Sequence, residues 1–476
     1  MVTKSLHQIL TGDQAWFYHA VPKEQRHDST VIVVDVHYWR DDLQDELEAV
    51  TGTPIVLEQA SAEVVNAELS RLYKQNSAAT TENKTTSAVT FTASNDSDFL
   101  VRLINEAQRL RSSDIHIESY ELKSRVRMRI DGLLAERYTI DAADYPSLIN
   151  KIKIRANLDI AEKRLPQDGR IFFNHEGLRI DIRVSVLPTL HGEKVVLRLL
   201  NNDASNIDIR TLGFSEKQLQ DYSEGIRKPH GILLISGPTG SGKTTTLYAT
   251  LKLLNKEGTN ILTVEDPVEY TLEGINQVQL KESIGLTFSG ALRTFLRQDP
   301  DIIMLGEIRD GETAQMAVRA ALTGHLVLST IHTNSAWGTI SRLQDMGVPS
   351  FLIANTLNTS VAQRLVRLLC PQCKVKMAVK QEYFPSGFDA SILEYVFVGK
   401  GCDQCYHTGY KGRKAIYEVV PIDVEFSEAI RTQVQVLNDL FEEKGISTLQ
   451  DSAMHLLRSG LTSPDEVYSI LSQSSH

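Results

Sequence analysis

The sequence predicts an α/β protein of several domains, one of which is built on a parallel sheet covered by helices on both faces. Short apolar segments at 232–236, 260–264, 301–306 and 325–331 are separated by helical stretches, which is the pattern of buried parallel strands. Upstream, segments 125–130 and 179–184 alternate between charged and apolar side chains, as half-buried antiparallel strands do. A chain of 476 residues has room for roughly three or four domains.

The bulk composition is that of a globular protein. Apolar residues make up 42% and charged residues 23%, and no stretch approaches the roughly eighteen apolar residues of a membrane span. A net charge of −10 and a pI near 5.8 provide no global positive field for nucleic acid or anionic lipid. The first residues lack the apolar segment of a secretion signal. We therefore expect a cytoplasmic protein that reaches a membrane only through a partner.

A stretch almost free of large apolar residues, at 77–96, has the composition of a flexible tether. Before it lie two strand patterns, at 30–36 and 54–57, and two helix patterns, at 41–50 and 61–74. The predicted division is a small N-terminal α/β domain at 1–76, a linker at 77–97, a second α/β domain at 98–206, the parallel-sheet domain at 207–369, a cysteine-rich subdomain at 370–413 and an amphipathic helical C-terminus at 414–476.

A phosphate-binding loop follows the first apolar strand of the parallel-sheet domain. Segment 237–244, GPTGSGKT, fits the pattern G-x-x-x-x-G-K-[ST] between a strand and a helix, a context that a chance glycine loop lacks. Backbone N–H groups surround the phosphates, Lys243 reaches the β- and γ-oxygens, and the Thr244 hydroxyl takes a Mg²⁺ position. We predict ATP and Mg²⁺ as cofactors, bound by Gly237, Pro238, Thr239, Gly240, Ser241, Gly242, Lys243, Thr244 and Thr245.

Carboxylates follow two of the later strands. Glu265, Asp266 and Glu269 come at the end of the strand at 260–264, and Glu307 ends the strand at 301–306. Ligands bind at the carboxyl ends of strands in open α/β sheets, so these acids can place Mg²⁺ and polarise water. Each acid alone is a weak signal, because acids often cap strands. Both positions after one phosphate loop form a strong constellation.

Basic residues near the loop have two interpretations each. Arg293 and Arg297 lie one helical turn apart, and they either neutralise charge on the γ-phosphate or form surface ion pairs. His325 and His332 flank the last apolar strand, where they either respond to nucleotide or are structural histidines. The arginine face of 125–130 either grips RNA or phosphate or is merely solvated.

All four cysteines fall in two C-x-x-C pairs. Cys370, Cys373, Cys402 and Cys405 offer four thiolates, enough to fill a tetrahedral structural Zn²⁺ site. Disulfides are the alternative, which the absence of a secretion signal disfavours.

The ordered motifs together resemble the secretion and traffic ATPases that power type II secretion (general secretion pathway protein E) and type IV pilus assembly. The resemblance covers roughly 98–471. It is carried by SDIHIE at 113–118, RLPQDGR at 164–170, DIRVS at 181–185, GEKVVLR at 192–198, the phosphate loop, EDPVE at 265–269, LRQDPD at 296–301, GEIRD at 306–310 and the histidine box at 323–334.

This resemblance implies a RecA-like P-loop core, a PAS-like domain at 98–206 that closes on it as ATP binds, a zinc-binding insertion and a ring-shaped homohexamer. It assigns Arg183, Arg198, Arg293 and Arg297 to the nucleotide phosphates. Glu307 is then the Walker B glutamate and Glu269 the acid of the aspartate box, and which of them orients the attacking water stays open.

The implied partners are an inner-membrane platform protein and its cytoplasmic docking partner. Residues 1–76 resemble a shortened form of the docking domain and lack the cyclic-di-GMP motif of some extension members. The tetracysteine insertion favours extension over retraction.

Two other functions stay open at this point. One is a nucleic-acid translocase or DNA-uptake motor, which the arginine strand at 125–129 would serve and the acidic balance disfavours. The other is a nucleotide-gated scaffold with little turnover, which a complete set of Lys243, Glu269 and Glu307 disfavours. The choice between secretion, pilus and competence systems, and the cargo, also stays open.

Overall fold

We describe the chain from a computed structural model. The structure describes residues 9–10, 14–15, 18–26, 29–40, 43–51, 53–62, 64–65, 68–69, 89–91, 99–121, 123–175, 178–200, 208–434 and 438–472. These fall into two compact units, Met1–Lys84 and Thr85–His476. Within the described ranges, no helix is long and apolar enough to cross a bilayer.

The first unit holds a small three-stranded sheet. Its elements are β1 (Ala20–Gln25), β2 (Thr30–Asp35), α1 (Leu43–Thr51) and β3 (Ile55–Ala60). Strand β2 pairs antiparallel with β1 and parallel with β3, with α1 in the crossover. The apolar run at 31–34 is buried in this unit's core, which explains the strand pattern in the sequence. The predicted helix at 61–74 lies partly outside the described residues.

The second unit begins with a seven-stranded sheet in the order β4-β7-β6-β5-β10-β9-β8. Its strands and helices are β4 (Val89–Phe91), α2 (Phe99–Arg109), β5 (Asp114–Ser119), β6 (Ser124–Ile130), β7 (Leu133–Ile140), α3 (Tyr145–Arg155), β8 (Gln167–His175), β9 (Leu178–Thr189) and β10 (Gly192–Leu200). The buried side chains of α2 and α3 share one core with the apolar face of this sheet. The opposite face carries the charged residues that the alternating pattern predicted.

Strand β4 falls inside the segment predicted as a linker, and it pairs parallel with β7. Composition gave no indication of it, because three residues with one partner strand carry too little apolar periodicity. The rest of the predicted linker lies outside the described residues.

A second seven-stranded sheet follows, in the order β13-β12-β14-β15-β11-β16-β19. All of these strands are parallel except β19, which runs antiparallel to β16 at the edge. The elements are α4 (Glu216–Arg227), β11 (Gly231–Ser236), α5 (Lys243–Leu254), β12 (Ile261–Glu265), β13 (Asn276–Gln279), α6 (Phe288–Phe295), β14 (Ile302–Leu305), α7 (Gly311–Leu322), β15 (Leu326–Ile331), α8 (Gly338–Asp345), α9 (Ser350–Thr356), β16 (Leu357–Leu369) and β19 (Tyr410–Pro421).

Strands β11, β12, β14 and β15 are buried along their whole length, which confirms the prediction of a parallel sheet covered on both faces. Between β16 and β19 the chain forms a hairpin, β17 (Lys374–Ala378) and β18 (Tyr395–Gly399). The C-terminal helices are α10 (Val424–Thr432), α11 (Asn438–Lys444), α12 (Leu449–Arg458) and α13 (Pro464–Leu471). Their buried faces join the core of the second sheet.

Lys153 on α3 supplies a test of how the first large sheet is stabilised. Its side chain is fully buried, its Nζ lies 2.5 Å from Glu193 Oε1, and it donates to the Glu162 carbonyl at 2.7 Å. Removing one partner leaves an unpaired buried charge, so we expect Lys153→Ala to lower the free energy of unfolding by about 3–5 kcal/mol.

Urea unfolding followed by circular dichroism measures this change. Lys151→Ala, at an exposed position on the same helix, should change the free energy by less than about 0.5 kcal/mol. Equal effects of the two substitutions would contradict the role given to the buried pair.

Candidate functional site

The phosphate loop connects β11 to α5 at the centre of the parallel sheet. Gly237, Gly240 and Gly242 adopt φ of 150°, 81° and 88°, and Gly242 is the N-cap of α5. The free N–H groups at the start of α5 therefore face the mouth of the sheet, where a phosphate is stabilised by the helix dipole. Thr244 is exposed at this mouth. The loop has the backbone conformation and the hydroxyl that a bound Mg²⁺–triphosphate requires.

Strand β16 passes directly behind the loop. The Gln363 side chain donates to the Ser241 carbonyl at 2.9 Å and accepts from the Thr246 hydroxyl at 2.9 Å. The Arg364 guanidinium donates to the Asn334 carbonyl at 2.9 Å. Sequence reasoning missed both residues. The sequence signal was weak, because Gln363 and Arg364 are two of several polar residues in this stretch.

The Lys243 side chain folds back onto the phosphate loop. Its ammonium donates to the carbonyls of Gly237 and Pro238, at 2.7 and 3.1 Å, and the residue is 9% exposed. Burial lowers the pKa of Lys243, the nearby Arg364 lowers it further, and the Glu307 carboxylate opposes both. The ammonium is thus desolvated and held at the loop, ready to exchange carbonyl oxygens for phosphate oxygens.

Glu307 follows β14, which β15 separates from β11, at the same carboxyl edge of the sheet as the phosphate loop. Its carboxylate accepts from Arg309 and lies 3.4 Å from His332 Nε2. Burial by itself would raise the pKa of Glu307, but Arg309 and His332 outweigh it, and the pKa lies below its ordinary value. Glu307 therefore stays ionised at neutral pH, as a group that binds a metal or orients water must.

Glu269 lies in the loop after β12 and meets a residue of the other large sheet. Its carboxylate is 3.3 Å from Arg183 Nη1, and Arg183 Nη2 donates to the Val268 carbonyl at 2.6 Å. Glu265 is different, because it is 3% exposed and its carboxylate accepts from Thr263, Gln277 and Tyr248. Of the acids in this loop, Glu269 is accessible and Glu265 is an internal anchor.

Three arginines form a row across neighbouring strands of the first large sheet. Arg170 is directly opposite Arg183, and Arg183 is directly opposite Arg198. They line one cleft of about 660 Å³ together with Pro267 and Gln279 of the parallel-sheet domain. Like charges in register destabilise a sheet unless anions compensate them. Asp181 is 2.8 Å from Arg170 and Asp114 is 2.9 Å from Arg198, so each outer arginine has its own carboxylate.

The four cysteines lie together at the base of the β17–β18 hairpin. The Sγ distances are 3.8 Å for Cys370–Cys402, 3.7 Å for Cys373–Cys405 and 3.8 Å for Cys402–Cys405. Ligands about 2.3 Å from a tetrahedral zinc are about 3.8 Å from each other, whereas disulfide sulfurs are about 2.05 Å apart. The cluster therefore fits a tetrahedral metal site and contains no disulfide.

Comparison with known proteins identifies the family. The family model described as type II/IV secretion system protein matches residues 94–469. The chain belongs to this family. Type II secretion system protein E of Pseudomonas aeruginosa is 48% identical over 375 residues, which cover 77% of this chain and 74% of that protein. Type IV pilus assembly ATPase PilB of Myxococcus xanthus is 48% identical over 380 residues, which cover 77% of this chain and 67% of that protein.

Solved structures agree on the fold of this chain. The ATPase DotB of Legionella pneumophila matches with a TM-score of 0.59 at 21% identity, covering 80% of this chain and 96% of that one. The pilus retraction motor PilT with bound ADP matches with a TM-score of 0.53 at 26% identity, covering 78% and 96%. The predicted family, the α/β fold class with its P-loop ATPase core, and the ATPase activity are confirmed.

The structure does not bring every predicted arginine to the phosphate loop of its own chain. Arg293 pairs with Glu312, and Arg297 donates to the Arg293 carbonyl at 2.9 Å. Both side chains are exposed, and among the described residues neither has a recorded contact with the loop 237–244. In this structure, the contacts of both arginines therefore lie outside the phosphate loop of their own chain.

The two histidines separate into the two roles that the sequence left open. His325 and His332 lie at opposite ends of β15. His332 reaches Glu307, whereas the His325 ring lies 2.9 Å from the Ala320 carbonyl and caps the end of α7. His332 belongs to the site, and His325 is structural.

The arginine strand β6 is neutralised by its neighbour β5. Arg125 lies 3.1 Å and Arg127 lies 2.7 Å from Glu118, and Arg129 lies 3.5 Å from Asp114. Burial alone would raise the pKa of Glu118, but hydrogen bonds from Arg127, Lys194 and Arg125 outweigh it and lower the pKa to about 2. The face that a nucleic-acid motor would need is internally paired.

The cysteine geometry predicts a structural zinc ion whose removal spares the nucleotide site. Cys373→Ser should lose the single zinc ion per chain and make the segment 370–413 sensitive to protease, because the ligands constrain that segment. Asp403→Asn is a matched control, since Asp403 lies between two ligands but its side chain is fully exposed. Metal analysis and limited proteolysis measure both effects. A zinc-free wild-type chain with unchanged protease resistance would contradict the assignment.

Proposed function

We propose that this ATPase powers the assembly of a type II secretion pseudopilus or a type IV pilus, by closing the domain at 98–206 onto the parallel-sheet domain in each hydrolysis cycle. The observation that carries the proposal is the contact of Arg183 with Glu269 and Val268. It joins the two domains at the segment after β12, and the Glu269 N–H of that segment also contacts Tyr248 on α5, the helix that follows the phosphate loop. Because the arginine row faces the same cleft, a bound anionic ligand would favour closure of the two domains.

The proposed roles of the site residues follow from their positions. Lys243 and the N–H groups of the loop hold the triphosphate, and Arg183 and Arg198 approach it from the closing domain. Thr244, with a nearby carboxylate, would hold Mg²⁺, which when bound neutralises charge on the β- and γ-phosphate oxygens. Glu307 and Glu269 are the carboxylates that we assign to orient the attacking water.

Arg293 and Arg297 support a ring of identical subunits. Exposed cations next to the Glu307 strand, without contacts to their own phosphate loop, suit the γ-phosphate of a neighbouring subunit. We propose a homohexamer in which these arginines complete the adjacent site. It would work at the cytoplasmic face of the inner membrane, docked on a platform protein and its cytoplasmic partner, and it would carry structural Zn²⁺ at the cysteine cluster. The similarity to both a type II secretion protein E and a type IV pilus assembly ATPase supports this class of function.

The first test removes single groups of the site. Glu307→Gln should bind ATP normally and hydrolyse it about 10²–10³-fold more slowly, because the amide cannot hold a metal or polarise water as a carboxylate does. Lys243→Ala should lose both binding and hydrolysis. Phosphate release and equilibrium nucleotide binding measure these effects.

Glu257→Gln, at an exposed position beyond α5, should behave as wild type in both assays. Wild-type hydrolysis by Glu307→Gln would exclude Glu307 as the essential acid. Activity in Lys243→Ala would overturn the site itself.

The second test asks whether Arg297 acts between subunits. Lys243→Ala and Arg297→Ala chains should each be inactive, but mixed rings should regain activity. In an equal mixture, a chain with an intact loop lies beside a chain with an intact arginine at roughly one quarter of the interfaces, so about a quarter of wild-type activity is expected. ATPase assays on co-assembled chains measure it. No gain on mixing would contradict the assignment of Arg297 to the neighbouring site.

A further inference from the structure

Tyr248 connects the phosphate-loop helix to the loop that carries Glu269. It lies on α5, five residues after Lys243, and it is 1% exposed. Its hydroxyl donates to the Glu265 carboxylate and accepts from the Glu269 backbone N–H at 3.2 Å. One oxygen atom therefore joins the buried end of β12 to the backbone of the accessible acid.

The Glu265 carboxylate is itself held in place by hydrogen bonds from neighbouring side chains. Thr263 donates to it at 2.6 Å and Gln277 at 3.2 Å, and the latter side chain also accepts from the Leu272 N–H at 2.7 Å. A buried carboxylate with this many donors has little freedom to rotate. The burial of Tyr248 and the nearby Glu265 charge both raise the pKa of the phenol, so its proton stays in place.

The loop is held from its other side by the closing domain. Arg183 pairs with the Glu269 carboxylate and donates to the Val268 carbonyl, whereas Tyr248 holds the Glu269 backbone. The position of the Glu269 carboxylate thus depends on two anchors, one on the phosphate-loop helix and one on the domain at 98–206. The Tyr248 anchor is independent of that domain, because Tyr248 belongs to α5 of the parallel-sheet domain.

We infer that Tyr248 is a positioning residue for hydrolysis: its hydroxyl fixes the Glu269 backbone relative to the phosphate loop, so that the Glu269 carboxylate is aimed at the γ-phosphate. The inference rests on the proposed role of Glu269 in the site. It gives Tyr248 no contact with the nucleotide, and its effect is therefore on turnover and not on binding. A small displacement of a catalytic group is enough to slow a reaction strongly.

Tyr248→Phe tests this inference, because it removes the hydroxyl and keeps the ring. We expect kcat to fall by about 10- to 100-fold, with ATP and ADP affinity unchanged within about twofold. Tyr222→Phe is the matched control. Tyr222 is also buried, and its hydroxyl lies 2.7 Å from Thr250 on the same helix α5, but it does not touch the Glu269 loop. Tyr222→Phe should leave kcat unchanged within about twofold.

A double-mutant cycle with Glu269→Gln separates positioning from a general structural role. If Tyr248 acts through Glu269, then Tyr248→Phe should lower kcat strongly in the wild-type chain and by less than about twofold in the Glu269→Gln chain. A full loss in both backgrounds, or a parallel loss of ATP affinity, would overturn the inference and leave a structural role. Wild-type kcat in Tyr248→Phe would overturn it as well.

The same cycle distinguishes failure of the inference from failure of the proposed function. Unchanged kcat in Glu269→Gln alone would remove Glu269 from the proposed chemistry and, with it, the role inferred for Tyr248. A low kcat in Glu269→Gln with additive effects of Tyr248→Phe would leave the proposed role of Glu269 intact and refute only the positioning role.

Discussion

The close approach of β16 to the phosphate loop is the constraint on which the nucleotide site depends. A Cβ atom at position 237 would lie 2.5 Å from the Gln363 carbonyl oxygen, and one at position 242 would lie 2.9 Å from Gln363 Nε2. The backbone of the strand behind the loop therefore requires glycine at position 237, and the φ of 88° favours glycine at position 242. The shape of the loop is set by the sheet before any ligand arrives, so binding does not have to order it.

The cationic side chains that we assign to phosphate binding are each paired with oxygen atoms of the protein. The Lys243 ammonium donates to loop carbonyls, and Arg183, Arg198 and Arg170 each lie beside one carboxylate. The arginine row would be costly on a bare sheet. Paired in this way, the row keeps its positive charge, and an anionic ligand adds attraction that the single carboxylates do not supply. An anionic ligand in this cleft would thus change the electrostatic interaction between the two domains.

Much of the fold and the main loop could be predicted from the sequence, because the signals are local. Fully apolar strands, a glycine-rich turn and a following helix lie next to each other in the chain. The apolar segments form the buried strands of the parallel sheet. The phosphate loop at 237–244 is the clearest case. The cysteine spacing was likewise sufficient to predict a four-ligand cluster at Cys370, Cys373, Cys402 and Cys405.

The missed features depend on which distant parts of the chain become neighbours in the fold. Strand β16 contains buried polar residues such as Thr359 and Gln363, whose partners lie far away in sequence, so its pattern does not resemble a core strand. The row of Arg170, Arg183 and Arg198 exists only through the register of three strands. Tyr248 has the spacing of an ordinary buried helix residue, and only the folded chain shows its hydroxyl between two glutamates.

Glu418 on β19 gives the C-terminal helices a role that their sequence did not suggest. This buried carboxylate accepts from the Ala336 N–H at 2.7 Å and the Leu449 N–H at 3.2 Å, and burial raises its pKa. It therefore ties the segment after His332 to the first turn of α12. A chain shortened before residue 449 would lose one of these donors and open the core to water. The C-terminal helices are thus part of the ATPase core, and truncation from that end would destabilise this core.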